Sequence, residues 1–383
     1  MGSVHWEQPS DWITCNLFTL YGGAAPNVTG YWIRAFVLAV GGAPVAPVQR
    51  QARNWYSINW SFTEVQEATV KGDIPALARI QLRTQSNRAV ATAPTLYTQR
   101  YVMGLRSYSR GERFRAFLNV SDEQNPSNVS TVPGGALVFA NDVEAPTGRS
   151  LSWTPGPGTV DVCGFLISYI SADAWAGRYR MFLRLQQSGG AAGDATFSGR
   201  LQSGHALVYN TIFDSEWVPT YNTTDHQILD LGAIEIPGRY PVGPNMRNQF
   251  ILWIRGNCIN AGATWTLYDL VLIPTDEWAV DVRLSNYAMS SRYDVPVQID
   301  SLTYPDQFLT TRCYVEGATY NTFYSWWTSI KNNHAMLHPN SQQRLWTLAM
   351  RETSGGVLTC EHEIAHTITV TRADRYLIPR GDQ

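Results

Sequence analysis

The sequence predicts an all-β protein, and three observations predict it. Short segments of alternating apolar and polar residues recur from one end to the other. Clusters of Gly, Pro, Asn and Ser separate them, and no long stretch carries the 3.6-residue apolar period of a helix.

Taken in order, Ala35 to Val40 is a continuous apolar run, as expected of a strand buried on both sides. In Tyr56 to Phe62, Tyr56, Ile58, Trp60 and Phe62 face one way and Ser57, Asn59 and Ser61 the other, which predicts one core face and one wet face. The same alternation sets Ala78, Ile80 and Leu82 against Arg79, Gln81 and Arg83. It sets Phe114, Ala116, Leu118 and Val120 against Arg115 and Asn119, and Tyr179, Met181, Leu183 and Leu185 against Arg178, Arg180 and Arg184. In each of these strands arginine is expected on the outer face. Val162 to Ile170, Phe250 to Ile254 and Leu267 to Ile273 read as central strands. Short helices are expected over Tyr324 to Leu337 and, after the cap Ser341, over Gln342 to Arg351. The second segment also alternates, with Leu345, Thr347 and Ala349 against Trp346, Leu348 and Met350, and so reads equally as a strand. Connections are expected over Gly41 to Pro47, Asp122 to Gly135, Ala145 to Gly158, Ser188 to Gly199 and Pro237 to Pro244. These signals divide the chain into an N-terminal β segment (1–50), a sandwich region (51–280) and a C-terminal β-rich domain (281–383), the second line resting on Ile273-Pro274-Thr275-Asp276-Glu277.

Composition narrows the function. With 383 residues, 44% hydrophobic, 12% aromatic and only 16% charged, the chain has ample material for a core and for partner-covered surface. A net charge of -2 without any basic run gives no electrostatic footprint for nucleic acid. No apolar run reaches the roughly 20 residues of a membrane-spanning helix, so no membrane insertion is expected. Lys71 and Lys331 are the only lysines among 29 basic residues; arginine suits bidentate interface contacts, and a G+C-rich genome would produce the same bias without a structural reason. The five cysteines, Cys15, Cys163, Cys258, Cys313 and Cys360, are scattered and odd in number, as expected of reduced, buried thiols. Met1 to Asp11 lacks the charged start and apolar core of a secretion signal, which predicts folding in a reducing cytoplasm.

His362-Glu363-Ile364-Ala365-His366 spells the zinc-hydrolase device, which needs both histidines one turn apart on a helix. The run from Val357 to Val370 instead alternates, with Leu358, Cys360, His362, Ile364, His366, Ile368 and Val370 on one face. On a strand the two imidazoles stand about 13 Å apart, too far for one zinc. The expectation is a protein that is not an enzyme and needs no cofactor or metal. A zinc-dependent hydrolase is the least favoured alternative.

Three stretches resemble virion structural proteins of tailed bacteriophages, of the distal-tail or minor-tail kind. They are Gly72 to Leu77 with Met103 to Ser107, Tyr268 to Glu277, and Arg375 to Gly381. The resemblance implies a jelly-roll β-sandwich like those of carbohydrate-binding modules, with further β-rich segments at both ends. It implies a place in a tail or tail tip built of symmetric rings. The partners it implies are copies of this chain and other virion tail proteins, assembled in the host cytoplasm, and the alternative role is carbohydrate binding or host attachment through a surface glycan. It transfers no active-site residue.

Two clusters are candidate sites. Asp214, Trp217, Tyr221, Asn222 and Asp225 share a polar, turn-rich stretch in which aromatic faces could stack on a sugar ring while carboxylate and amide oxygens accept its hydroxyl protons. Tyr320, Phe323, Tyr324, Trp326 and Trp327 form the densest aromatic cluster, expected as core or as a subunit interface.

Overall fold

The computed structural model describes residues 75–86, 97–108, 136–142, 149–167, 175–205, 208–221, 226–238, 249–287 and 342–353 as continuous stretches, with shorter pieces between residues 12 and 372. The elements whose bounds fall among the described residues are 27 strands. The first eight are β1 (Trp12–Leu17), β2 (Ile33–Phe36), β3 (Val48–Gln49), β4 (Ser61–Glu67), β5 (Ala76–Ser86), β6 (Tyr97–Tyr108), β7 (Phe117–Asn119) and β8 (Ala136–Asn141). Then come β9 (Arg149–Thr154), β10 (Gly158–Ile167), β11 (Gly177–Ser188), β12 (Ala195–His205), β13 (Val208–Asp214), β14 (Val218–Pro219), β15 (Gln227–Ile236), β16 (Pro241–Gly243), β17 (Met246–Arg247), β18 (Gln249–Cys258) and β19 (Thr264–Pro274). The chain continues through β20 (Trp278–Tyr287), β21 (Asp294–Asp300), β22 (Arg312–Tyr314), β23 (Asn321–Trp326), β24 (Met336–Leu337), β25 (Gln342–Glu352), β26 (Leu358–Cys360) and β27 (Ile364–Arg372).

Residues 149–274 form a jelly roll, and strand order alone identifies it. Call β9, β10, β11, β12, β13, β15, β18 and β19 strands B to I. One antiparallel sheet then runs β9-β19-β11-β15, or B-I-D-G, and the other β10-β18-β12-β13, or C-H-E-F. The inner faces supply one core: Trp153, Trp265, Phe197, Phe250, Leu183, Leu201, Leu252 and Ile254 are all fully buried. Trp153 lies at its centre, 5.5 Å edge-on from Phe197 and 5.4 Å from Trp265 between ring centroids. Gly256 permits this, because a Cβ there would stand 2.3 Å from the Trp153 ring.

The outer face of the B-I-D-G sheet is covered as well. Past β15 the sheet continues through β26 to β25, β6, β20 and β23. β25 and β6 fold back over it, so that Val102, Trp346, Leu348 and Met350 join the same core. Gly104 marks the closest approach, since a Cβ there would stand 2.2 Å from the Pro274 carbonyl oxygen. This third layer overturns the expectation that Arg184 lines a wet face. Arg184 is fully buried in an ion pair of 2.7 Å with fully buried Asp269, its partner across the strand pair.

The remaining strands interleave the two ends of the chain. β5 pairs with β21 and β27, β6 pairs with β20 and β25, and β27 pairs with β1. β5 and β27, β6 and β25, β20 and β23, and β21 and β22 thus form a nested series of pairs in which the first strand meets the last. β4 pairs with β25 and lies against β1, β2 and β27 of the other sheet. Hydrogen-bonded pairing therefore runs across the line drawn near residue 280, and the jelly roll occupies the connection between neighbouring strands β6 and β20.

Several local expectations need correction. Gln342 to Arg351, open between helix and strand in the sequence, is strand β25. Its alternation runs true, but Leu345 to Met350 are buried on both faces, so neither face is polar enough to mark the period. Of the helix expected over Tyr324 to Leu337, the described parts are extended, in β23 and β24. The connection expected over Ala145 to Gly158 contains β9, whose buried Leu151 and Trp153 alternate with Ser150, Ser152 and Thr154. The connection expected over Ser188 to Gly199 ends early, because β12 begins at Ala195. Residues 56–60 lie outside the described residues.

Candidate functional site

Trp217 and Asp214, two of the five residues expected as a sugar platform, come together on the outer face of the C-H-E-F sheet. That face is the exposed side of the jelly roll, opposite the covered B-I-D-G side. β13 ends at Asp214, and the chain then turns back toward β12. Ser215 N–H donates to the Gly199 carbonyl, Gly199 N–H donates to Ser215 Oγ at 2.8 Å, and β14 resumes pairing with Thr196 and Phe197. Both flanks of Trp217 are thus tied to β12, and the residue stays 39% exposed. Tyr221 belongs elsewhere: it packs against the core, and its backbone exchanges two hydrogen bonds with the Gln227 side chain. Asn222 and Asp225 lie outside the described residues.

Strand residues that sequence reading missed complete the cluster. The Arg255 guanidinium sits over the Trp217 ring, 5.0 Å from its centroid. It also meets Asp214 at 3.2 Å and Asp161 at 3.5 Å, and Asp161 pairs in turn with Arg200. The arrangement follows from alternation, because β18 turns Arg255 outward between inward Ile254 and Gly256, and β12 turns Arg200 outward between Gly199 and Leu201. The missing signal is tertiary, since only the folded sheet brings β10 and β18 beneath the turn after β13. Beside this cluster Trp253 donates its Nε1–H to Gln202 at 2.8 Å, and its ring lies across Gly164, where a Cβ would come within 2.7 Å.

A second cluster binds the jelly roll to the interleaved sheets. Arg100 of β6 donates to Asp281 at 3.0 Å and to Asp230 at 2.9 Å, and Asp230 also receives Arg180 through two bonds of 2.6 and 3.1 Å. Burial alone would push the Asp230 carboxyl up, but Arg180 and Arg100 hold it below the usual carboxylate range. Six residues along β6, Arg106 donates to Tyr179 Oη at 2.5 Å and to the Ala176 carbonyl, and meets Asp276 at 3.6 Å. Gly177 (φ +144°) leaves room for it, because a Cβ there would stand 2.7 Å from the Arg106 guanidinium.

Asp269 has the opposite character. Complete burial pushes its carboxyl up to about 7, and Arg184 only partly opposes the shift. A folded value above the ordinary one near 3.8 means that its contribution is full below that ordinary value and is lost as pH rises toward about 7. Raising pH from about 5 to about 7.5 should therefore cost about 2 kcal/mol through this group. Urea unfolding at the two pH values checks this, and the pH-dependent loss should shrink in Asp269→Asn.

The other candidates are placed only in part. Of the His362 to His366 motif, Ile364, Ala365 and His366 lie in β27, opposite Ser86, Gln85 and Thr84 of β5, while His362 and Glu363 lie outside the described residues. The helical turn that places two zinc ligands together is absent from the described half. Phe323, Tyr324 and Trp326 lie in β23, at one end of the 12-stranded sheet, opposite Arg283, Val282 and Val280 of β20. Tyr320 and Trp327 lie outside the described residues.

No family model matches the sequence, and no curated protein does either. Among solved structures, the chain is similar to carbohydrate-binding modules of the β-sandwich superfamily at 13% identity and TM-score 0.27, over 68% of this chain and 84% of that one. It is similar to a structure of the infectious bursal disease virus Gx strain at 10% identity and TM-score 0.22, over 94% and 78%. It is similar to a carbohydrate esterase from the Shiga toxin-encoding bacteriophage phi24B at 11% identity and TM-score 0.15, over 62% and 87%. All three likenesses are slight, and the jelly roll is established by its own strand order.

Proposed function

We propose that this chain is a non-enzymatic structural subunit of a virion, of the tail or tail-tip kind, that assembles with copies of itself and with other tail proteins. The observation that carries the reading is the mounting of the jelly roll. It is inserted between hydrogen-bonded strands β6 and β20 and riveted by Arg100 and Arg106 to two of its own strands. Such a mount fixes the module rigidly on its base, a property an assembly subunit needs and a tethered binding module does not. The sequence stretches similar to tail proteins and the aromatic residues of β23 at a sheet end support the same reading. Light scattering and negative-stain imaging of the purified chain test it. A closed ring or tube is expected, and a chain that stays monomeric up to its solubility limit overturns the proposal.

A second reading, recognition of a glycan by the jelly roll, is favoured by Trp217, a large aromatic that stands exposed on the module. The two roles are compatible in one subunit, because assembly uses the base and recognition uses the free sheet face.

A further inference from the structure

We propose that Trp217 is a stacking platform for a neutral pyranose, with Asp214 accepting hydroxyl protons at its edge and Arg255 acting as the positioning residue. This inference rests on the glycan reading and specifies its site and ligand class. Three observations carry it. The backbone on either side of Trp217 is tied to β12, at Ser215 and again at Val218 and Pro219, so the turn is shaped before any ligand arrives. The Arg255 guanidinium occupies one face of the indole while Trp217 stays 39% exposed as a residue, and Asp214 and Asp161 hold that guanidinium in place. A ring braced in this way loses little freedom on binding, which is how an exposed aromatic becomes a platform and not a mobile side chain.

Charge decides the ligand class. The cluster holds two guanidiniums, Arg200 and Arg255, and two carboxylates, Asp161 and Asp214, joined in one chain of ion pairs. Exposed Glu216 beside Trp217 adds a further negative charge. A uronate or sialate would bring its carboxylate to a surface whose cations are already committed, at the cost of breaking an existing pair. A neutral pyranose lays its C–H face on the indole and donates hydroxyl protons to carboxylate oxygens, whose acceptor capacity exceeds one ion pair.

The test is calorimetric titration of the full-length protein with neutral glucan, mannan, galactan and chitin oligosaccharides, and with oligogalacturonate and sialyllactose as the acidic arm. At least one neutral saccharide should bind, Trp217→Ala should abolish that binding, and Arg255→Met should weaken it about tenfold. Arg255→Lys, which restores a cation without the fork, should recover part of the loss. A merely structural role would leave the ligand-free indole untouched, so acrylamide quenching is measured against Trp217→Phe in each background. Quenching of Trp217 should rise in Arg255→Met. If Arg255→Met binds as wild type and quenches as wild type, the positioning role is overturned while the glycan reading stands. Tighter binding of an acidic saccharide than of any neutral one overturns the ligand class. Binding that survives Trp217→Ala overturns the platform, and a chain that binds no saccharide removes the glycan reading and this inference with it.

Discussion

Arg100→Ala is expected to destabilise the protein by about 3–5 kcal/mol, because it removes one partner from a buried ionic network and leaves the others uncompensated. The Arg100 and Asp281 side chains are each 4% exposed and that of Asp230 15%, so neither carboxylate can recruit bulk water cheaply when the guanidinium is gone. Asp230 keeps Arg180, whereas among the described residues Asp281 is left with the longer approach of Arg283 at 3.6 Å. The exposed pair Arg178 and Glu235, 2.9 Å apart on the same jelly roll, is the control: its removal should cost about 1 kcal/mol or less despite equal geometry. Guanidinium unfolding of the two variants decides the matter, and equal losses would show that burial gives the Arg100 network no special weight. Because Asp230 is held below the usual carboxylate range, its contribution is present above the ordinary value and fades as pH falls, so the effect of Arg100→Ala should narrow in acid. That is the reverse of Asp269, whose contribution is lost as pH rises from its ordinary value toward about 7.

Trp153→Ala should cost about 3–5 kcal/mol as well, through a void and not through charge. The indole touches strands from both sheets, with Phe197 on β12, Trp265 on β19 and the backbone of Gly256 on β18 around it. No single neighbour can move to fill its volume without leaving its own place in a sheet. Gly256→Ala alone should also destabilise, by about 1–3 kcal/mol, because the added methyl collides with the ring. Combined with Trp153→Ala, the same methyl points into the void, so the double variant should be less destabilised than the sum of the two. Strict additivity in thermal unfolding would mean that the ring and the glycine do not share one packing site.

Period-two alternation made much of this architecture legible. Ile80 and the inward set Tyr179, Met181, Leu183 and Leu185 stand where alternation puts them, because a strand that shows the core one face alternates, and Leu267 to Ile273 are buried on both faces as a continuous apolar run predicts. The pattern fails where that premise fails. Arg184 reads as a solvent-facing residue because sequence cannot show that a third layer covers it and that Asp269 waits across the strand pair. β9 is hidden because Pro146, Gly148, Pro155, Gly156 and Pro157 crowd a six-residue strand. At the candidate site, Asp214 and Trp217 were readable as neighbours in the chain. Arg255, Asp161 and Arg200 were not, because each belongs to a strand whose purpose in the pattern is to support the core.

The insertion of the jelly roll between β6 and β20 sets an order of events during synthesis. All eight strands of the module have left the ribosome once Pro274 is clear, and it can close at once. β5 and β6 emerge earlier, yet their partners β27 and β25 are made last. Newborn chains therefore carry a closed two-sheet module, still uncovered on the face that β25 will pack, beside unsatisfied strand margins, and that interval is when mispairing between nascent copies is the chief hazard.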